Sequence, residues 1–253
     1  MHFFSDTWFL FVRSMKETLR TPVWMIVGLF APICYMLLFE PLLDPVANVP
    51  GFPPGGALAV FTPGVLIMLS FYSAAFVCYG LLAELRSGVI ERLRVTPASR
   101  MALLLGRVLR DIVILLIQAL LLIVVAWLMG LRANLAGVAL TFVLLVFIGL
   151  LMASFSYALA LVMRDENAVG STLNMLTMPL LLLSGVMLPL SLAPAVIRNI
   201  AVVNPFTYAV DAARALFLGN FGDVRVIEGF VILGVLALLT FWWASSSFRR
   251  AVA

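Results

Sequence analysis

Six apolar runs constrain this chain more than any other feature, because each is long enough to cross a hydrocarbon core of about 30 Å at roughly 1.5 Å per helical residue. They cover residues 23–43, 58–82, 112–129, 135–163, 168–188 and 226–248. A segment surrounded by lipid must satisfy its own backbone, and a helix does so within itself. The predicted fold is therefore an all-α polytopic membrane protein with six transmembrane helices. Hydrophobic side chains make up 64% of the 253 residues and charged ones 11%, against roughly 25% charged in an average soluble domain. Lipid is the main solvent.

Basic residues set the orientation, since they collect on the cytoplasmic side. Of 16 in total, Arg132, Arg198, Arg214 and Arg225 lie on one side. The rest lie on the other, among them Arg13, Lys16, Arg20, Arg86, Arg92, Arg94, Arg100, Arg107, Arg110, Arg164, Arg249 and Arg250. Both termini are expected in the cytoplasm.

The reactive residues are few, which excludes several chemistries. His2 is the single histidine, Lys16 sits in Met15-Lys16-Glu17 with no glycine-rich loop before it, and Cys34 and Cys78 fall inside apolar runs. A histidine metal site, a Ser/His/Asp triad and a P-loop all require residues that are missing. No metal and no catalytic residue is expected, and this chain cannot hydrolyse ATP by the P-loop route. An intramembrane enzyme fits poorly, because Glu40, Asp44, Asp211 and Glu228 have no matching nucleophile. A secondary transporter would need an embedded ionisable relay, and surface pairing of Asp111 with Arg107 and Arg110 accounts for the nearest candidate.

Residues 1–22 read as a separate interfacial helix ahead of a transmembrane domain over 23–253. Trp8, Phe11, Val12, Met15 and Leu19 share one face, and Arg13, Lys16, Glu17 and Arg20 the other. Two roles fit: a basic anchor on anionic lipid, or a platform that a partner pushes on. The charged stretch 83–110 reads as a short surface helix between two spans. Gly88 allows a break, Val89, Ile90 and Leu93 form an apolar face beside Glu91 and Arg92, and Thr96-Pro97 ends it. An ordinary positive-inside loop is the plain alternative.

Between the last two spans, Pro189, Pro194 and Pro205 separate two apolar pieces, 195–203 and 206–218. Neither is long enough to cross, so both are expected as re-entrant or interfacial half-helices. Asp211 and Arg214 stand three residues apart on the second and can pair, either as a local ion pair or in gating.

The order Glu84, Gly88, Glu91, Leu93, Pro97, Ser99, Arg100 resembles the signature of the ABC-2 family of ABC-transporter permeases. Asn204-Pro205-Phe206-Thr207-Tyr208-Ala209-Val210-Asp211-Ala212-Ala213-Arg214 resembles a second stretch of the same family. The daunorubicin-resistance type of drug-export permease is the nearest likeness, with lipo-oligosaccharide export permeases as neighbours. The resemblance implies a plasma-membrane permease that pairs with a second permease chain, as a homodimer or with a close paralogue. Two separate P-loop ATPase subunits would carry ATP and Mg. They would dock through a coupling helix at 89–95, flanked by Glu84, Arg86, Gly88 and Pro97, and through Arg13, Lys16 and Arg20. The outer stretch Asn204, Pro205, Tyr208, Asp211 and Arg214 would be re-entrant or gating. Besides lipid no further partner is implied, and no nucleic acid.

Path residues are harder to isolate. Gln118 and Asn174 are polar inside apolar runs, fitting either an interhelical hydrogen bond or a path. Met175, Met178 and Phe155 fit either packing or a soft apolar lining. The Leu, Val and Met character of the spans favours an amphipathic drug or lipid over a glycolipid or polysaccharide.

Overall fold

The computed structural model describes residues 3–20, 23–43, 56–88, 100–186 and 190–251, and among these every regular element is helical. The coupling-helix positions Val89, Ile90, Glu91, Arg92, Leu93 and Pro97 lie outside the described residues, as does the end of the 168–188 run. Ten α-helices follow in order: α1 Phe3–Leu19, α2 Val23–Leu43, α3 Gly56–Ala75, α4 Cys78–Arg86, α5 Arg100–Leu128, α6 Leu135–Met163, α7 Glu166–Leu183, α8 Ala195–Ala201, α9 Pro205–Phe217 and α10 Val224–Ala251. A 3-10 turn, Leu190–Leu192, precedes α8. Among the described residues, Gly56–Arg86, Met101–Leu128, Leu135–Met163 and Val224–Arg250 are long and apolar enough to cross a membrane, and Gly28–Phe39 is a shorter apolar helix.

Helix α6 is apolar on all sides and sits in the middle of the bundle, with α3, α5, α9 and α10 packed round it. Its start is fixed by Asn134, whose Oδ1 accepts from Ala136 N–H (2.9 Å) and Gly137 N–H (3.4 Å), a side-chain N-cap. Helix α5 begins well ahead of the 112–129 run, because Leu103, Leu104 and Val108 are buried and continue the apolar stripe. That extension carries Asp111 inward. It is 5% exposed, where surface pairing was expected, and Arg110 Nη2 donates to it at 2.6 Å while Tyr157 of α6 donates to its other oxygen. A carboxylate so deep is tolerable because charged and hydroxyl donors both reach it.

The 58–82 run is not one continuous helix. The ladder breaks at Phe76–Val77 between α3 and α4, and the freed groups are taken up by Ser156 of α6. Its hydroxyl donates to the Ala75 carbonyl and accepts from Cys78 N–H (3.3 Å). Breaks at membrane depth persist when a neighbouring side chain re-satisfies the backbone.

Helix α1 lies against α5 where Gly106 lets it in: a Cβ there would stand 3.0 Å from Leu10 Cβ and 3.2 Å from the Thr7 carbonyl. Thr7 is accordingly buried, and Leu10 packs on the core. Trp8 and Leu19, of the expected apolar face, remain exposed, as do Phe4 and Phe9. Phe11, Val12 and Met15 of the same face are half-buried, so the helix covers the expected face only in part.

Candidate functional site

Two groups of residues stand out, one at each end of the bundle. At the end bearing α1, Glu84 of α4 forms an ion pair with Arg107 of α5, the arginine being 7% exposed. These residues flank the 89–99 connection on either side, so the pair ties its two ends together. Beside it is a cavity of about 130 Å³ lined by Leu10, Arg13, Ser14 and Glu17 of α1 with Leu103. Arg13 pairs with Glu17 at 3.1 Å on the exposed surface, a contact worth little by itself. Lys16 on the same helix and Arg20 just after it are exposed. Arg86 pairs with Glu166 at 3.1 Å, joining the end of α4 to the start of α7. Gly88 has φ 69°, the left-handed region that follows a helix end.

At the other end, α9 is fastened by its own motif. Asn204 Oδ1 caps α9 through Phe206 N–H (3.0 Å), while its Nδ2 donates to the Leu180 carbonyl of α7 (2.7 Å). Pro205 occupies the first turn, where a missing N–H costs nothing. Thr207 Oγ1 lies 3.1 Å from the Leu183 carbonyl, and Tyr208 Oη donates to the Val202 carbonyl at 2.9 Å. Arg214, 8% exposed, donates from Nε to the Val60 carbonyl of α3 (3.0 Å) and from Nη2 to the Gly185 carbonyl (2.7 Å). The expected Asp211–Arg214 ion pair is therefore replaced by backbone contacts. The reason is the end of α7: a helix leaves its last four carbonyls unsatisfied, and Asn204 and Thr207 reach two of them while Arg214 takes the carbonyl just beyond.

Glycines set how tightly α9 is held. A Cβ on Gly137 of α6 would lie 1.8 Å from the Leu216 carbonyl, and one on Gly229 of α10 would lie 2.6 Å from Ala212 Cβ. Outside this packing a cavity of about 610 Å³ is lined by Arg198, Tyr208, Asp211, Arg214, Arg225 and Glu228 among others. Burial pushes the Asp211 carboxyl above the usual carboxylate range, with Arg214 and then Arg225 pulling it back in part. Burial likewise lowers the Arg214 guanidinium to about 10, against the attraction of Asp211.

The path candidates are dispersed. Gln118 is buried, and its Oε1 accepts from Ser73 Oγ at 2.8 Å, linking α5 to α3. Phe155 packs on Trp243 of α10 with ring centroids 5.9 Å apart. Asn174, Met175 and Met178 are exposed on α7. Sequence reasoning missed a ladder of Tyr72, Phe76 and Tyr79, whose rings lie 6.3 and 6.2 Å apart at 9° and 4°. The i, i+4 and i+3 spacing was the available signal. It missed Ser156 as well, a lone hydroxyl in an apolar span.

An all-helical membrane protein, with α9 tied by its capping motif to the end of a neighbouring helix and an amphipathic helix laid against the opposite end, has the build of a transporter subunit. The sequence matches the ABC-2 type transporter family over residues 5–218, and the chain belongs to that family. It is 24% identical to the putative transport permease ycf38 of Cyanophora paradoxa, over 94% of this chain and 87% of that protein. It is 25% identical to the daunorubicin resistance ABC transporter permease protein DrrB1 of Streptomyces coeruleorubidus, over 85% and 76%. With the probable multidrug ABC transporter permease YbhS of Escherichia coli K12 the identity is 26%, over 83% and 57%. This chain is thus a multi-pass membrane permease subunit of an ABC transporter, of a family that works with ATPase subunits.

Proposed function

We propose that this chain is the membrane half of an exporter that moves an amphipathic drug or lipid-like compound out across the plasma membrane. In this reading it has six spans, with α2 and α7 completing the set, both termini are cytoplasmic, and α8 and α9 form the re-entrant outer pair. Two copies, or this chain and a close paralogue, surround the path. Two separate P-loop ATPases dock on the 89–99 connection and α1, with Val89, Ile90, Glu91, Arg92, Leu93 and Pro97 at the contact and Arg13, Lys16 and Arg20 beside it. ATP and Mg are held by those partners, and this chain holds no cofactor.

The observation that carries this reading is the Glu84–Arg107 pair across the root of that connection. A push on 89–99 cannot be absorbed by the two flanks separating, so it reaches α4 and α5 together. Helix α4 then pivots at Phe76–Val77, with Ser156 holding both sides of the break. On the outer side Arg214 keeps α9 closed on α3 and on the segment after α7 until the spans shift. A two-state packing biased by ligand on a partner chain supplies the energetics.

A P-loop ATPase encoded beside this chain should co-purify with it, and vesicles holding both should move a lipophilic dye only with ATP. Transport by the purified chain without nucleotide or second polypeptide sinks the proposal. The Tyr72–Phe76–Tyr79 ladder supports a second reading, cargo with flat faces such as the sugar rings of a glycolipid. Loss of glycolipid but not dye transport in Y72A/Y79A selects it.

A further inference from the structure

The α6–α7 turn and the C-terminal part of α10 enclose a cavity of about 310 Å³ that the transport scheme leaves unused. Arg164, Trp242, Trp243, Ser246, Ser247 and Arg250 line it. This is the end of the bundle that bears α1 and Glu84, because Glu166 in the same turn pairs with Arg86 of α4.

Arg164 is the one non-glycine with positive φ among the described residues, at 53°. Glycine or asparagine ordinarily fills such a position after a helix. An arginine held there carries the Cβ penalty of the left-handed region, the kind of strain that collects at ligand clamps. Its Nε donates to the Leu161 carbonyl at 3.4 Å, which leaves both terminal amino groups for a ligand. Arg250 has no protein partner among the described residues. The acidic residues of the turn are committed elsewhere: Asp165 caps α7 through Ala168 N–H (2.7 Å), and Glu166 holds Arg86. Two cations, two hydroxyls and two indoles thus surround one opening, with no carboxylate in its wall. Indoles settle at the headgroup level, and basic pockets between spans on the positive side take anionic headgroups.

We propose that this cavity binds the phosphodiester of an anionic phospholipid, Arg164 and Arg250 engaging the phosphate oxygens and Ser246 and Ser247 donating to the rest of the headgroup. Trp242 and Trp243 mark the boundary with the acyl chains. The shared chemistry is a phosphate ester, so the test separates a lipid from a soluble one.

Delipidated full-length protein in a neutral detergent is titrated with phosphatidylglycerol, phosphatidylcholine, glycerol 3-phosphate or inorganic phosphate, and native mass spectrometry reads the adducts. Phosphatidylglycerol should be retained in preference to phosphatidylcholine. R164Q and R250Q should each weaken it roughly fivefold, and the double variant about thirtyfold, while R132Q at the opposite end leaves it unchanged. R250Q changes an exposed helix end, so it reports even if a change at Arg164 unfolds the turn. Equal retention of the two lipids, or unchanged occupancy in R250Q, overturns the proposal. Glycerol 3-phosphate or inorganic phosphate binding as tightly as phosphatidylglycerol overturns the lipid assignment.

Discussion

Arg214 Nη2 donates to the Gly185 carbonyl at 2.7 Å, so a charged side chain on α9 closes the backbone that leaves α7. Replacing Arg214 by Ala strands the buried Gly185 carbonyl and removes the added bond to the Val60 carbonyl. Each lost bond to a charged donor is worth about 1.5–3 kcal/mol. R214A should lower the unfolding temperature in detergent by several degrees and let vesicles leak dye in the resting state. R214K, which keeps the charge on a single donor nitrogen, should recover part of both losses. A tight, wild-type-stable R214A removes the latch from the mechanism.

The Glu84–Arg107 pair gives a different signature. E84Q leaves the buried Arg107 and R107Q the half-buried Glu84 without a partner, each costing about 1–3 kcal/mol. The exchange E84R/R107E should restore much of the stability. ATP-driven transport should follow the pair rather than the individual residues, with both singles weak and the exchange partly active. Transport by E84Q at the wild-type rate contradicts the clamp.

Glycine substitutions separate packing from propensity. G137A places a methyl 1.8 Å from the Leu216 carbonyl and must displace α9, so it should destabilise by more than about 2 kcal/mol and reduce expression. G80A meets nothing within 4 Å and should stabilise α4 by about 0.5–1 kcal/mol. Opposite signs in thermal unfolding are expected from two changes of the same chemistry.

S156A removes the hydroxyl that serves Ala75 and Cys78. Hydrogen exchange at the 76–78 amides should rise about tenfold or more, corresponding to roughly 1.4 kcal/mol or above. S156T keeps the hydroxyl and should stay near wild type. Unaltered exchange in S156A places the flexing elsewhere.

The helices were legible because lipid forces apolar segments into one form, and the boundaries of α6 fell where the apolar run stopped. The Asn204-to-Arg214 motif was legible as a position but not as a structure. Its partners, the Leu180 and Gly185 carbonyls, are backbone atoms with no trace in residue identity. Asp111 was misplaced for the same kind of reason: Tyr157 lies 46 residues away, and only packing of α5 on α6 brings the two together. The i, i+3 spacing of Asp211 and Arg214 suggested a pair, yet the arginine reaches the Val60 and Gly185 carbonyls, partners that only the packing of α9 on α3 and on the segment after α7 supplies.

The joint between α3 and α4 has one further mechanical consequence. A hydroxyl rotates freely about its Cβ–Oγ bond, so Ser156 can follow the Ala75 carbonyl and the Cys78 amide through a range of angles without letting go of either. Bending there is compliant, while sliding along the helix axis remains stiff because the rest of α3 is buried on almost every side. The joint thus has a swivel at Ser156 on one side and a tightly packed shaft, α3, on the other.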